Sequence, residues 1–197
     1  IIWHGHSCFE ITGKDGTIVF DPYQANSVPG LNSLKLKANL VLCSHEHDDH
    51  NARNCVEVAP KDFKVTCIET YHDHHQGSHR GKNTIHIVDF ENLKVVHMGD
   101  IGCMMDDVSK LKNCDVLMIP IGGYYTIDTK EALKYIERIQ PRIVIPMHYH
   151  SHEFGYDVLS TNEEFIQQSS SVTYVDDCLE VNKDTKTQTV VFKKPRN

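Results

Sequence analysis

Residues 44–50 read Ser-His-Glu-His-Asp-Asp-His and follow directly on the apolar run Ala38-Asn39-Leu40-Val41-Leu42-Cys43. Such a run is expected to form a buried strand, so His45, His47, Asp49 and His50 arrive together at a strand's C-terminal end, where α/β sites are commonly built. Neutral imidazole and ionised carboxylate suit Zn²⁺, Mn²⁺ or Fe, and a set this dense can serve two ions at once. One local motif cannot complete two coordination shells, so the fold has to bring further ligands from separate loops to the same strand end. With 14 histidines in 197 residues, chance produces an H-x-H-x-D-H on the order of one time in two hundred. A solvated polar loop, the bland alternative, needs no triple histidine.

At this length one domain, 1–197, is expected, since no repeat, low-complexity tract or Pro/Gly/Ser linker interrupts the chain. No apolar run reaches the 18 residues of a bilayer span, and the start Ile1-Ile2-Trp3 is strand-like rather than signal-like, so a cytoplasmic protein without a membrane partner is expected. Seven cysteines, odd in number and without a C-x-x-C pair, are read as reduced and mostly core. The net charge of −7 is offset by no basic block beyond Lys193-Lys194-Pro195-Arg196, which disfavours nucleic acid as a partner. A small-molecule substrate is expected, and the composition leaves room for a homo-oligomer.

Hydrophobic patterning predicts strands over Ile1–Thr12, Thr17–Asp21, Ala38–Ser44, Lys64–Thr70, Thr84–Phe90, Leu93–His97, Asp115–Ile119, Arg142–Met147, Val172–Val175 and Gln188–Phe192. Helices are expected over Ala52–Ala59, Val108–Lys112, Thr129–Gln140 and Asn162–Ser169. The third has the clearest signature, with Asp128 as N-cap, Glu131 three residues on, and Ala132, Leu133, Ile136 and Ile139 on one stripe before Pro141. Asp21-Pro22 and Gly99-Asp100-Ile101-Gly102 each follow a strand, so both aspartates are expected at sharp turns with outward-facing side chains. The polar segment from His72 to Asn83 is expected to be an active-site loop.

Beyond the histidine motif, the blocks Trp3-His4-Gly5-His6-Ser7-Cys8-Phe9, Tyr71-His72-Asp73, Arg80-Gly81-Lys82-Asn83, His97-Met98-Gly99-Asp100, Pro120-Ile121-Gly122-Gly123-Tyr124-Tyr125 and Ile145-Pro146-Met147-His148-Tyr149 occur in order. With them the chain resembles the metallo-β-lactamase superfamily along nearly its whole length, nearest the compact metal-dependent hydrolases beside the ascorbate-phosphate lactonase branch. The resemblance implies an α+β fold, a four-layer αββα sandwich of two mixed sheets flanked by helices. It implies that His45, His47 and His72 hold one ion, that Asp49, His50 and His148 hold the other, and that Asp100 bridges them. His74 and His75 compete with His72 by proximity, an ordinary turn residue competes for Asp100, and a satisfied core histidine competes for His148. His6 is expected to orient a ligand, contact substrate or bond to backbone, and His97, alternating with Val95, to stand behind Asp100. Asp49, Asp100, His6 and His97 are thus the residues expected to serve catalysis.

The expected activity is hydrolysis of a small anionic ester, lactone or phosphoester by a hydroxide shared between two divalent ions, zinc first, with manganese or iron as alternatives. Arg80 and Lys82 would offer charge to the substrate's anionic group, and Tyr124 would form part of a wall. Relatives that cleave nucleic acids carry an inserted domain that 197 residues do not accommodate, and the helical C-terminal domain of glyoxalase-type relatives has no counterpart here, so short loops are expected to recognise the substrate. Two rival readings are a phosphodiesterase for a small cyclic or lipid-derived diester and an iron-binding redox protein without hydrolysis.

Overall fold

The computed structural model describes residues 1–196. Strands β1 (Ile2–Gly5), β2 (Cys8–Gly13) and β3 (Gly16–Phe20) form an antiparallel meander, and β5 (Leu40–Leu42) joins β3 in parallel, giving the order β1-β2-β3-β5. Between them β4 (Leu36–Ala38) pairs in parallel with β6 (Val56–Val58) as a separate ribbon. The second sheet has β7 (Lys64–Tyr71), β8 (Lys82–Phe90), β9 (Leu93–His97), β10 (Val116–Pro120), β11 (Ile143–Met147), β12 (Val172–Val175) and β13 (Gln188–Phe192) in the order β12-β13-β11-β10-β9-β8-β7. Both sheets are mixed, and the chain is an α+β sandwich.

Alternation along the strands explains why the sheets stack. Phe9, Ile11, Ile18 and Phe20 of the small sheet join the main core with Ile85, Val88, Val96 and Leu117 of the large one, whereas Cys8 and Val19 turn to a second core with Tyr23, Val28, Ala38 and Val56. Strands β10 and β11 are buried at every position, as parallel strands covered on both faces must be. Helix α1 (Thr129–Ile139) links β10 to β11, and α2 (Glu163–Gln168) follows β11. The β4–β6 ribbon contributes Ala38 and Val56 to the second core, on the side of the small sheet away from the large one.

Several local expectations are corrected. Ile1–Thr12 is a hairpin rather than one strand, because Gly5 (φ 107°) and His6 (φ 52°) reverse the chain. Ala52–Ala59 is not a helix. It forms a 3₁₀ turn at Arg53–Cys55 and then β6, whose buried Val56 and exposed Glu57 follow the period of a strand. Val108–Lys112 is a turn with bonds from Leu111 N–H to Val108 O and from Lys112 N–H to Ser109 O, three residues back, rather than an α-helix. The cysteines are all free, yet only Cys8 and Cys114 are buried. Among the described residues no helix is long and apolar enough to cross a membrane.

The pairing pattern decides where the site lies. Strands β1 and β3 both run antiparallel to β2, and β5 runs parallel to β3, so all three point the same way. In the large sheet β7 and β9 both run antiparallel to β8, while β10 and β11 run parallel to β9. His6, Asp21, the 44–50 segment, His72, Asp100 and His148 each lie just beyond the C-terminal end of one of these strands.

Candidate metal centre

Asp100 Oδ2 lies 2.9 Å from His148 Nε2, 3.1 Å from His50 Nε2, 3.4 Å from His72 Nε2 and 4.0 Å from His45 Nε2. One carboxylate oxygen thus faces four imidazoles from three loops, those after β5, β7 and β11. Three overlapping groups bring their ligand atoms within 4.8 Å of one another: His45, His47 and His72; His6, Asp49, His50 and His148; and His45, His50 and Asp100. The third group shares His45 with the first and His50 with the second, so the first two meet at Asp100. His72 is buried in the cluster, whereas His74 and His75 are exposed, His74 lying 3.6 Å from Glu131 and the His75 ring lying tilted against that of His79 at 4.3 Å.

The layer behind explains why the imidazoles point inward. Asp21, fully buried, accepts Nδ1–H of His50 at 2.8 Å, the Ser44 hydroxyl at 2.6 Å and the Ser44 N–H at 2.6 Å. Because that hydroxyl proton is given to Asp21, Ser44 Oγ accepts Nδ1–H of His45 at 2.9 Å. Both rings thereby carry their proton on the far side, and their Nε2 atoms, buried without a hydrogen-bond partner, face Asp100. Asn83 Oδ1 accepts the Asp100 N–H at 2.8 Å while its amide donates to Thr70 Oγ1 and Met98 O, which locks the turn bearing Asp100. Gly99 permits this approach, since a Cβ there would sit 2.4 Å from Ser44 Cβ and the residue has φ 55°. The outward-facing aspartates expected at positions 21 and 100 are corrected: both are buried in the cluster, because left-handed backbone at Asp21 (φ 42°) and Gly99 (φ 55°) turns the chain after β3 and β9, and Ser44, His50 and Asn83 close around them.

Electrostatics suit a cation. Burial pushes His45 down to about 3 and His6 down to about 4, so both hold the neutral form that ligates metals. Burial also opposes charge on His50, but Asp100, Asp49 and Asp21 outweigh it and raise its pKa; carboxylates that attract a proton there attract a divalent ion equally. Burial would raise Asp49 and Asp100, yet the neighbouring histidines hold both below the usual carboxylate range. A carboxylate held so low stays ionised and suits a ligand better than a proton acceptor. The donor set therefore fits metal ions, on the strength of the unpartnered Nε2 atoms of His45 and His50 and Oδ1 of Asp100.

His6 is the largest revision inside the cluster. The sequence left it between second-layer, substrate-facing and structural roles, but its Nε2 lies 3.2 Å from Asp49 Oδ2 and its ring 4.1 Å from that of His148. Trp3 Nε1–H donates to His6 O and holds the turn. His97 stays behind: it donates Nε2–H to Ser7 O at 2.9 Å, stacks 5.1 Å from Phe20 and lines no part of the cavity.

A cavity of about 250 Å³ opens over the cluster, lined by His47, Asp49, His72, Asp100 and His148 with Arg80, Tyr125 and Tyr156. Arg80 is where the sequence places charge. Lys82 is not, because side chains alternate along β8: Asn83 points inward, so Lys82 points to solvent beside Glu69 at 3.3 Å. Tyr124, 64% exposed at φ 54°, sits outside the cavity, and the next ring, Tyr125, faces it. Tyr156 was missed. Its hydroxyl donates to Ser27 O at 2.7 Å and lies 3.3 Å from Asp49 Oδ2, a contact across 107 positions that no local pattern signals.

Comparison with known proteins agrees with this geometry. Residues 1–148 match the family model of the beta-lactamase superfamily domain. A UPF0173 metal-dependent hydrolase of Thermoplasma acidophilum is 29% identical over 83% of this chain and 87% of its own, and one of Natranaerobius thermophilus is 30% identical over 75% and 82%. A Thermotoga maritima structure, described as a candidate Zn-dependent hydrolase of the metallo-beta-lactamase superfamily, superposes with a TM-score of 0.77 at 26% identity over 98% of this chain and 97% of its own. With the buried cluster of imidazoles around one carboxylate, these matches establish that the chain belongs to the metallo-β-lactamase superfamily and is a metal-dependent hydrolase.

Proposed function

We propose that this hydrolase acts on a small anionic ester, lactone or phosphoester at a site for two divalent ions, zinc foremost. The observation that carries the reading is the position of Asp100 Oδ2, 3.4 Å from His72 Nε2 on one side and 2.9 Å from His148 Nε2 on the other. His45, His47 and His72 would hold one ion; Asp49, His50 and His148, with His6 added by its place in the same group, would hold the second; Asp100 would lie between them. Divalent ions supply Lewis acidity toward a substrate oxygen and a water acidified towards neutrality.

The remaining work falls to this chain's side chains. Asp21 keeps His45 and His50 in the tautomer that presents Nε2. Tyr125 and Tyr156 narrow the cavity and exclude bulk water, and Arg80 supplies the one Lys or Arg side chain in its lining. Its guanidinium suits a carboxylate or phosphate at a distance from the scissile bond. The net charge of −7 speaks against a polyanionic substrate.

Metal-loaded protein assayed on a panel of chromogenic lactones, esters and phosphodiesters, charged and neutral, tests the reading. Higher kcat/KM for small anionic esters or lactones is expected, with two ions per chain by elemental analysis. Preference for phosphodiesters would replace the substrate class, and saturation at one ion would remove the two-ion site.

A further inference from the structure

The loop between His72 and Arg80 is organised around a single carboxylate. Asp73 is 2% exposed, and its Oδ1 accepts the N–H groups of His75 (2.7 Å) and Gly77 (2.9 Å) while Oδ2 accepts those of His79 (3.1 Å) and Arg80 (2.7 Å). Among the described residues no Lys, Arg or His side chain forms an ion pair with it. Gln76 (φ 56°) and Gly77 (φ 78°) turn the chain back, and bonds from Gly81 N–H to Gly77 O and from His72 N–H to Gly81 O close the loop. Four backbone donors converging on one buried carboxylate make a stiff ring out of a segment that lacks any regular structure.

The ring ends at Arg80, the cationic side chain of the cavity. Its guanidinium carbon lies 5.4 Å from the Tyr125 ring centroid and 5.9 Å from that of Tyr124, and among the described residues no carboxylate pairs with it. Stacked on two rings and without an acidic partner, the guanidinium keeps its in-plane donors free. A flexible loop would have to lose conformational entropy to present that cation each time substrate bound, whereas a loop already tied has little left to lose.

We infer that Asp73 is a positioning residue for substrate specificity: by tying the 73–80 loop it aims Arg80 into the cavity, where the guanidinium reads a carboxylate or phosphate on the substrate. The inference rests on the anionic-substrate reading above. Nothing in it requires Asp73 to touch substrate or metal.

The test is steady-state kinetics of the metal-loaded protein on two chromogenic esters that differ only in a carboxylate remote from the scissile bond. Parent, Arg80→Ala, Asp73→Asn and the double variant are compared, with metal content measured for each. A hydrogen-bonded ion pair contributes about 1.5–3 kcal/mol, so Arg80→Ala is expected to raise KM for the charged ester by about ten- to a hundred-fold. Asp73→Asn should raise the same KM, leave kcat and the neutral ester nearly unchanged, keep the parent's metal content, and add little in the Arg80→Ala background. If Asp73→Asn does not fold, Asp73→Glu keeps the charge but displaces it from the four donors, and the same selective rise is expected. An equal change on both esters, a lost metal ion, or fully multiplicative effects in the double variant would overturn the positioning role. If Arg80→Ala itself left the charged ester unaffected, the anionic-substrate reading would fail; if Arg80→Ala acted and neither Asp73 variant did, that reading would survive and the role of Asp73 would fall.

Discussion

Asp21 shows how one residue behind the cluster can govern two that face Asp100 within it. Its carboxylate collects His50 directly and His45 through Ser44, so removing it frees both rings to rotate or change tautomer. Asp21→Ala should therefore weaken metal binding by about ten- to a hundred-fold, as loss of such outer partners commonly does. Isothermal titration with Zn²⁺ measures this, and unchanged affinity would show that packing alone orients the rings. Asp100→Ala should be more severe, because Oδ2 faces both ligand groups; equal kcat/KM at equal metal content would reduce Asp100 to a turn residue. Lys82→Ala, by contrast, should leave both charged and neutral substrates within about twofold, since its ammonium faces Glu69 on the outer side of β8 and lost rim charges of this kind contribute little.

The elements divide into those that local chemistry specifies and those that a partner specifies. Helix α1 belongs to the first kind: Asp128 accepts Glu131 N–H at 2.9 Å and Glu131 returns the bond to the Asp128 N–H, a complete capping box. Asp128→Ala should cost about 1 kcal/mol by urea unfolding, and no change in midpoint would mean the helix is held by its buried face alone. That face holds Ala132, Tyr135 and Ile139, and Tyr135 also donates to Cys103 O and accepts Met105 N–H, tying the loop beyond Asp100 to the helix. Strands Leu93–His97, Val172–Val175 and Gln188–Phe192 lie where their apolar period puts them. The segment after Asn51 is of the second kind. Its helical reading fails because Val56 pairs with Leu36 and reaches the second core, a contact that no pattern within 52–59 reveals.

At the scale of the molecule, two sheets that share a direction at one rim collect ligands from six strand ends, and the same convergence concentrates charge. Asp21, Asp49 and Asp100 lie among His6, His45, His50, His72 and His148, with most of these groups buried. Metal bound only in the folded state should stabilise it by about 4 kcal/mol when free metal exceeds Kd a thousandfold. Treatment with a strong chelator should thus lower Tm markedly, and restored Zn²⁺ should recover it. An unchanged Tm, with loss of metal confirmed by elemental analysis, would show that the rim is rigid without ions.

What the sequence by itself determined was chemistry and periodicity: the H-x-H-x-D-H behind an apolar run, His72 and His148 within family blocks, a capped helix at Thr129, and strands whose faces alternate. Those properties live within a few neighbouring residues, where spacing and side-chain type decide. The tertiary structure decided which way side chains point at turns and which distant loops meet. His6, Asp21, Tyr124 and His148 all adopt positive φ, so strand alternation does not carry through to them. His6 meets Asp49 across 43 positions and Tyr156 meets it across 107, contacts made by sheet order rather than by spacing. Tyr125 faces the cavity and Tyr124 solvent for the same reason: one left-handed residue reverses the face, and only the packed loop determines that it is left-handed.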